Sequence, residues 1–303
     1  MLICDAHADT LFRMAYAPGQ ACDLSLERLR KGGVSLQVLT LFVGMDPAFE
    51  AVKALFEKML KARDTLAAQG WRQTAEPGES RDGETRFMLS VEGCEILNGR
   101  VDAIRKLYRL GVRMAALTWN YQNALGTPAA VSETEGLTPF GIAAAREMQR
   151  LGIAVDVSHL NVAGFYDVLS LEAAPPLASH SCCRALCDHP RNLTDRQLKD
   201  LFRAGGYIGI NFFPRFLAPE GAPCDVGTVV SHIDRCHQLG GAGMVGFGSD
   251  FDGITQKPAG LDNPEDFPKL IEELRARGYK EQDVRNIAGQ SFLDYFGRIG
   301  TGR

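Results

Sequence analysis

Histidine and carboxylate side chains stand at the ends of several short apolar segments in this 303-residue sequence. The first segment runs into Asp5-Ala6-His7-Ala8-Asp9, and three of the six histidines of the chain occupy such segment ends. Clustered imidazole and carboxylate groups are ligands for divalent cations, so the pattern predicts a metal site. The residues concerned are His7, Asp9, Glu92, His159, His180, Asp250 and Asp252.

The predicted ligand set comprises His7, Asp9, Glu92, His159 and His180. Alternate residues of a strand point to the same side, so His7 and Asp9 can bind one cation together. Nitrogen and oxygen ligands without a thiolate favour Zn²⁺, with Mn²⁺ or Fe²⁺ less favoured. Five ligands exceed what one catalytic zinc with an open position needs, so we expect two ions bridged by Glu92. A water held between them would be acidified and become the nucleophile.

Each predicted ligand also has a structural interpretation. His7 with Asp9 could serve a helix dipole or a core hydrogen bond, and Glu92 could be a surface carboxylate. His159 and His180 could be hydrogen-bonded core histidines. Their shared position at strand ends favours the metal interpretation.

Structural interpretations also apply to the other titratable residues that the sequence singles out. Asp250 could cap a loop, and Asp252 is expected to be structural. His232 and His237 fall within a predicted helix, away from any strand end. His189 precedes a proline in a loop, and both a structural role and a role in the site stay open for it.

Arg191 lies in the loop after the predicted sixth strand. Its guanidinium could bind a substrate carboxylate through two hydrogen bonds, and the alternative is a surface salt bridge. Cys182 and Cys183 follow His180, but a nitrogen and oxygen shell argues against thiolate ligands. No GxSxG, Walker-type loop or convincing GxGxxG occurs, which disfavours serine-triad, P-loop and dinucleotide chemistry.

These residues must be positioned by the eight apolar segments and the helical segments between them. Nearly continuous apolar character is typical of parallel strands buried on both faces. The intervening helical patterns end in glycine, as at Gly111 and Gly152, and Thr194 with Gln197 has capping-box spacing. The repeating order predicts a closed (β/α)8 barrel, with an open doubly wound sheet as the alternative. The predicted strands cover residues 2–6, 35–43, 86–91, 112–118, 153–158, 176–179, 207–212 and 244–249.

Three further segments complete this prediction. Residues 48–70 are expected to form one helix, and residues 74–85 a polar surface loop. Two helical patterns within residues 263–298 should cover one end or flank of the barrel. Because no linker or internal repeat separates these parts, residues 1–303 are predicted to form one domain.

Composition limits the partners. With 33 Lys and Arg against 37 Asp and Glu, the net charge of -4 leaves no basic stripe for nucleic acid. No apolar run approaches the roughly 20 residues of a membrane helix. The eight cysteines include no CxxC pair, and the N-terminal MLICDAHADT has no signal-peptide pattern, so we expect reduced thiols and a cytoplasmic protein without membrane partners. A homodimer is compatible with these features.

Five sequence blocks resemble the renal (membrane) dipeptidase family of zinc peptidases. They span almost the whole chain in the order of the family, and the last two together are specific. The blocks are DAHADT at 5–10, SVEGCEIL at 90–97, GLTPFG with REMQRLGIAVDVSH at 136–159, ASHSCCRALCDHPRNL at 178–193 and GFGSDFDG at 246–253.

The resemblance implies a (β/α)8 metal-dependent hydrolase with two zinc ions that hydrolyses free dipeptides, often with a D-residue at the C-terminal position. It places one zinc on His7, Asp9 and Glu92 and the other on Glu92, His159 and His180. It also implies that Arg191 binds the C-terminal carboxylate of the substrate. Asp250 would lie near the free amino group and carry the proton to the leaving amine.

One departure from the family concerns Leu117-Thr118-Trp119-Asn120. Mammalian members have a histidine, thought to polarise the scissile carbonyl, at the position of Trp119. The oxyanion would then be stabilised by a metal, by the indole N–H or by Asn120, or Trp119 would simply be a pocket wall. Two alternatives stay open: a binuclear hydrolase of another amide or lactone, and a catalytically idle metal-binding scaffold.

Overall fold

Eight parallel strands close into a barrel in the computed structural model, which describes residues 1–44 and 48–300. The order around the barrel is β1-β2-β4-β5-β6-β7-β8-β9, closed by pairing of β2 with β4 and of β9 with β1. The two-residue β3 pairs with β4 outside the ring. The strands are β1 Ile3–Asp5, β2 Val34–Phe42, β3 Arg72–Gln73, β4 Arg86–Glu92, β5 Val112–Ala116, β6 Ala154–Asp156, β7 Leu177–Ser181, β8 Tyr207–Ile210 and β9 Val245–Phe247. The predicted (β/α)8 barrel is therefore confirmed.

Helices connect consecutive strands and begin where the sequence supplies caps. Thr194 forms the predicted capping box with Gln197, and Thr138 accepts a hydrogen bond from the Gly141 amide just before Pro139. The α-helices of the described residues are α1 Thr10–Tyr16, α2 Leu26–Lys31, α3 Phe49–Ala68, α4 Ile104–Arg109, α5 Pro139–Leu151, α6 Val162–Leu169, α7 Asp195–Arg203, α8 Pro214–Leu217, α9 Val226–Gln238, α10 Phe267–Ala276, α11 Glu281–Arg285 and α12 Ser291–Ile299.

The C-terminal segment closes one end of the barrel. Phe292, Tyr295 and Phe296 of α12 pack against residues from the first positions of the strands, such as Cys4 and Leu177. This end is thus filled by apolar side chains, which leaves the carboxyl ends of the strands for a site. The segment contains α10, α11 and α12, with a π-helical turn before α12, where the sequence indicated two helical patterns.

The strands are buried on both faces, as their composition predicted. Every residue of β2 is buried, and an outer apolar core packs the helices onto the barrel. No helix in residues 1–44 or 48–300 is both long enough and apolar enough to cross a membrane.

Candidate active site

The five predicted ligands converge at the carboxyl ends of the strands. Glu92 is the last residue of β4, His180 lies in β7, and His159 follows β6 by three residues. His7 and Asp9 extend β1, held by backbone hydrogen bonds to the segment after β9. All five side chains are buried.

The Glu92 carboxylate separates two groups of ligand atoms. Its Oε1 lies 2.7 Å from His159 Nε2 and 3.4 Å from His180 Nε2. Its Oε2 lies 3.6 Å from His7 Nε2, which is 3.8 Å from Asp9 Oδ1. Each carboxylate oxygen therefore faces a different group, the geometry that a bridging ligand needs.

Hydrogen bonds on the far side of the His159 and His180 rings fix their tautomers. Ser179 Oγ donates to Asp156 Oδ2 at 2.5 Å, so the His180 Nδ1–H donates to Ser179 Oγ at 2.7 Å. His159 Nδ1 lies 3.0 Å from Asn120 Oδ1, which accepts its proton. Both Nε2 atoms then carry lone pairs directed into the site.

Those lone pairs face each other and a carboxylate, an arrangement that a cation would stabilise. The two Nε2 atoms are 3.0 Å apart. Among the described residues, His7 Nε2, Asp9 Oδ1 and Glu92 Oε1 are buried without a hydrogen-bond partner. Buried polar atoms are rarely left unpaired in native proteins, so the donor set fits a divalent metal site.

Burial and charge shift the ionisation of these groups. Burial raises the pKa of the Glu92 carboxyl well above its ordinary value. Burial also lowers the pKa of His159 and of His180, and nearby positive charges lower it further. For His7, burial opposes protonation, but the Glu92 and Asp9 carboxylates raise its pKa to about 10. The lowered pKa values keep the imidazoles of His159 and His180 neutral, the form that binds metals.

Asp250 lies beside the ligands on the loop after β9. Its Oδ1 is 3.9 Å from His7 Nε2, and its Oδ2 accepts a hydrogen bond from Asn211 Nδ2 at 2.9 Å. Burial raises the pKa of the Asp250 carboxyl to about 6. A side chain at Gly253 would place its Cβ 2.3 Å from Asp9 Oδ2 and 2.5 Å from Asp250 Oδ1, so it would displace these two carboxylates.

Arg191 is buried beside the ligands. Its Nη2 lies 3.4 Å from the His180 carbonyl oxygen, and its guanidinium lies 5.5 Å from the centre of the Phe216 ring. Within the described residues its Nε has no acceptor, and no carboxylate lies within ion-pair distance. This placement differs from the alternative of a surface salt bridge. It leaves a buried cation free to bind an anion.

One cavity of about 1150 Å³ is lined by four of the five predicted ligands together with Asp250 and Arg191, the four being Asp9, Glu92, His159 and His180. One side of it is a row of rings, which we call the aromatic wall: Tyr16, Phe12, Phe42, Trp119 and Tyr121. Successive ring centres are 5.2, 5.0, 4.9 and 5.5 Å apart. Trp119 thus packs between two other rings, 6.3 Å from the His159 ring.

Several other candidates have structural environments. His232 is buried in α9, where its Nδ1 accepts from the Cys183 amide and its Nε2 donates to the Leu217 carbonyl oxygen. His237 lies in the same helix. The Cys182 thiol donates to a backbone carbonyl oxygen and is not directed at the ligands.

Asp252 and His189 line the cavity but serve the surrounding loops. Asp252 accepts hydrogen bonds from the Thr10 hydroxyl and the Asp23 amide, both at 2.6 Å. His189 Nδ1 accepts from the Arg191 amide at 3.1 Å, and its ring contacts that of Phe216. Both residues therefore stabilise loops at the rim of the site.

Sequence reasoning missed three residues that orient site side chains: Asp156 and Ser179, which act on His180, and Asn211, which acts on Asp250. Asp156 and Ser179 have a signal in the sequence, because each polar residue interrupts an apolar strand just before a predicted histidine ligand. The role of Asn211 has no comparable signal, since its partner Asp250 lies on another loop.

Comparison with known proteins agrees with this geometry. The model of the membrane dipeptidase family, peptidase family M19, matches residues 1–300. An uncharacterised dipeptidase from Schizosaccharomyces pombe is 35% identical over 209 residues, which are 68% of this chain and 51% of that protein. The chain thus matches about half the length of this curated relative.

Two solved structures share the whole fold. A metallo peptidase from Rhodobacter sphaeroides, liganded with a phosphinate mimic of the dipeptide L-Ala-D-Ala, has a TM-score of 0.90 at 27% identity, covering 99% of each chain. A dipeptidase described as a metallo peptidase of family M19 has a TM-score of 0.91 at 28% identity, covering 100% of this chain and 99% of its own. The resemblance found in the sequence is confirmed, and the chain belongs to the membrane dipeptidase family of metallopeptidases, M19.

Proposed function

We propose that the protein is a metal-dependent dipeptidase that hydrolyses the peptide bond of free dipeptides, including L-Xaa-D-Xaa pairs. The observation that carries this proposal is the position of the buried Arg191, which has no carboxylate partner among the described residues, beside a predicted ligand set centred on Glu92. A related metallo peptidase was solved with a mimic of L-Ala-D-Ala, which supports the same substrate class.

Two zinc ions are the proposed cofactors. His7, Asp9 and Glu92 would hold one ion, and Glu92, His159 and His180 the other. The nitrogen and oxygen donors favour Zn²⁺ over Mn²⁺ or Fe²⁺. Such a pair supplies an acidified water and polarises the scissile carbonyl.

Arg191 accounts for the restriction to very short peptides. A dipeptide carries its carboxylate one residue beyond the scissile bond, whereas a longer peptide has a neutral amide at that place. The Arg191 guanidinium lies next to the backbone of His180, so a carboxylate bound there keeps the preceding peptide bond close to the ligands. Leaving the charge of Arg191 unpaired in a buried site would disfavour longer chains.

Asp250 is the proposed proton carrier. Asn211 holds one oxygen of its carboxylate and leaves the other facing the site. The carboxyl can then deliver a proton to the leaving nitrogen. For Trp119, packing within the aromatic wall supports the role of a pocket wall, and contact of Asn120 with His159 supports a role in orienting that ligand.

Replacing Asp250 with Asn should lower kcat for L-Ala-D-Ala by about 100- to 1000-fold, because general acid–base groups typically contribute 10²–10⁴-fold. Bound metal, measured by elemental analysis, should stay at two equivalents. Asp252→Asn is the matched control on the same loop and should keep kcat within about threefold, since its carboxylate binds Thr10 and Asp23. Unchanged kcat in Asp250→Asn with two metals bound would exclude the proton-carrier role.

We further propose that residues 1–303 form one domain around this single barrel. Location in the cytoplasm and assembly as a homodimer stay predictions from the sequence.

A further inference from the structure

The cavity of the candidate site is lined by three arginines, of which two have no role in the proposed reaction. Arg13 lies on α1 and Arg215 on α8, and both line the cavity together with Arg191. Neither side chain forms an ion pair within the described part of the chain, and Arg13 Nε is buried without an acceptor. Arginines elsewhere on the surface, such as Arg235 and Arg277, pair with carboxylates.

Arg215 and Arg191 come from neighbouring connections of the barrel. Arg215 lies on α8, in the connection after β8, and Arg191 lies in the connection after the adjacent strand β7. Phe216, the following residue, contacts the His189 ring with centres 4.6 Å apart and lies beneath the Arg191 guanidinium. Arg215 and Arg191 therefore share one side of the cavity.

The remaining cavity surface divides into regions of different chemistry. The aromatic wall provides apolar contacts and no cation. Arg13 follows β1 in the barrel order, and the β9 loop with the Asp250 carboxylate separates it from the β8 loop with Arg215. A second anionic group on a substrate held by Arg191 would thus meet Arg215 first.

Resting on the proposed dipeptidase function, we infer that Arg215 selects dipeptides whose C-terminal residue has an acidic side chain, Asp or Glu. With the α-carboxylate on Arg191, the side chain of the same residue extends into the cavity that Arg215 also lines. A carboxylate there would form a charge-assisted hydrogen bond with an arginine that has no ion pair in the described part of the chain. Arg215 is exposed, so screening by solvent limits the effect to about tenfold.

The test compares Ala-Asp with Ala-Asn, two substrates of nearly equal shape that differ in charge, with D- and L-residues at the second position. For the zinc-loaded protein we expect kcat/KM for Ala-Asp to exceed that for Ala-Asn by about tenfold. In Arg215→Gln the ratio should fall to about one, while kcat/KM for Ala-Ala stays within about twofold. Arg13→Gln, which removes the other cavity arginine without a role in the proposed reaction, should keep the ratio, and the reversed dipeptide Asp-Ala should show no such preference over Asn-Ala.

A binding measurement provides a readout that does not depend on turnover. Calorimetry on the zinc-loaded protein should show tighter binding of free aspartate than of asparagine, by about tenfold, and Arg215→Gln should remove this difference.

Three outcomes would overturn the inference while the dipeptidase proposal stands: equal turnover of Ala-Asp and Ala-Asn, a ratio that survives in Arg215→Gln, or an equal loss in Arg13→Gln. In each case hydrolysis of Ala-Ala shows that the enzyme is active. Absence of turnover on every dipeptide by protein with two zinc ions bound would refute the proposed function, and the inference with it.

Discussion

The Glu92→Gln protein should bind one equivalent of divalent metal or less and lose at least about a thousandfold in kcat/KM, or roughly 4 kcal/mol of transition-state stabilisation. In the native side chain each carboxylate oxygen faces a different group of ligand atoms. An amide offers one oxygen and places an NH2 donor at the other position, where a second cation would be repelled. Elemental analysis after dialysis and steady-state kinetics measure the two effects.

Glu95→Gln is the matched control for this substitution. Glu95 is three residues further along the chain and half-buried, and its Oε1 accepts a hydrogen bond from Asn123. This change should leave both metal equivalents and the activity in place. Retention of two metals and full activity in Glu92→Gln would show that Glu92 is not a bridging ligand.

The Arg191→Ala protein should show a KM for free dipeptides that is higher by about a hundredfold or more. Loss of one partner of a buried, hydrogen-bonded charge pair costs roughly 2–5 kcal/mol. C-terminally amidated dipeptides lack the carboxylate, so their already weak binding should change little. The comparison of both substrate types in the native and variant proteins measures the specific contribution of the guanidinium.

Two further variants sharpen the Arg191 result. Arg191→Lys keeps the charge but loses the two-pronged hydrogen bond, so we expect an intermediate KM. Arg196→Ala removes an exposed arginine of α7, far less buried than Arg191, and should leave KM unchanged. A similar rise in KM for free and amidated dipeptides would contradict a carboxylate-binding role.

The fold and the convergence of the proposed ligands could be predicted from the sequence, because both follow from the order of the strands and the residues at their ends. In a parallel barrel the carboxyl ends of all strands meet at one face, so His159 and His180 had to be neighbours once β6 and β7 were identified. Strands buried on both faces also lack charged residues, as β2 does. The convergence on Glu92 is a consequence of this topology.

The directions of the site side chains could not be predicted from the sequence. His159 and Asp250 have left-handed backbone angles, with φ of 68° and 64°, which turn their side chains in directions that strand periodicity does not predict. Contacts between Asn120 and His159, or Asn211 and Asp250, join different loops. Such pairs depend on loop conformations that residue types alone do not specify.

The role of Trp119 could not be decided from the sequence. A tryptophan can donate a hydrogen bond or serve as an apolar surface, and both need a partner from elsewhere in the chain. Phe42 from β2 and Tyr121 supply apolar partners in the aromatic wall.

The most direct test of the central claim is hydrolysis of a panel of L-L and L-D dipeptides by protein reconstituted with two equivalents of Zn²⁺. We predict turnover that disappears on chelation and returns when zinc is added, with L-D pairs among the substrates. Absence of turnover on every member of the panel, with two zinc ions confirmed by elemental analysis, would contradict the dipeptidase account.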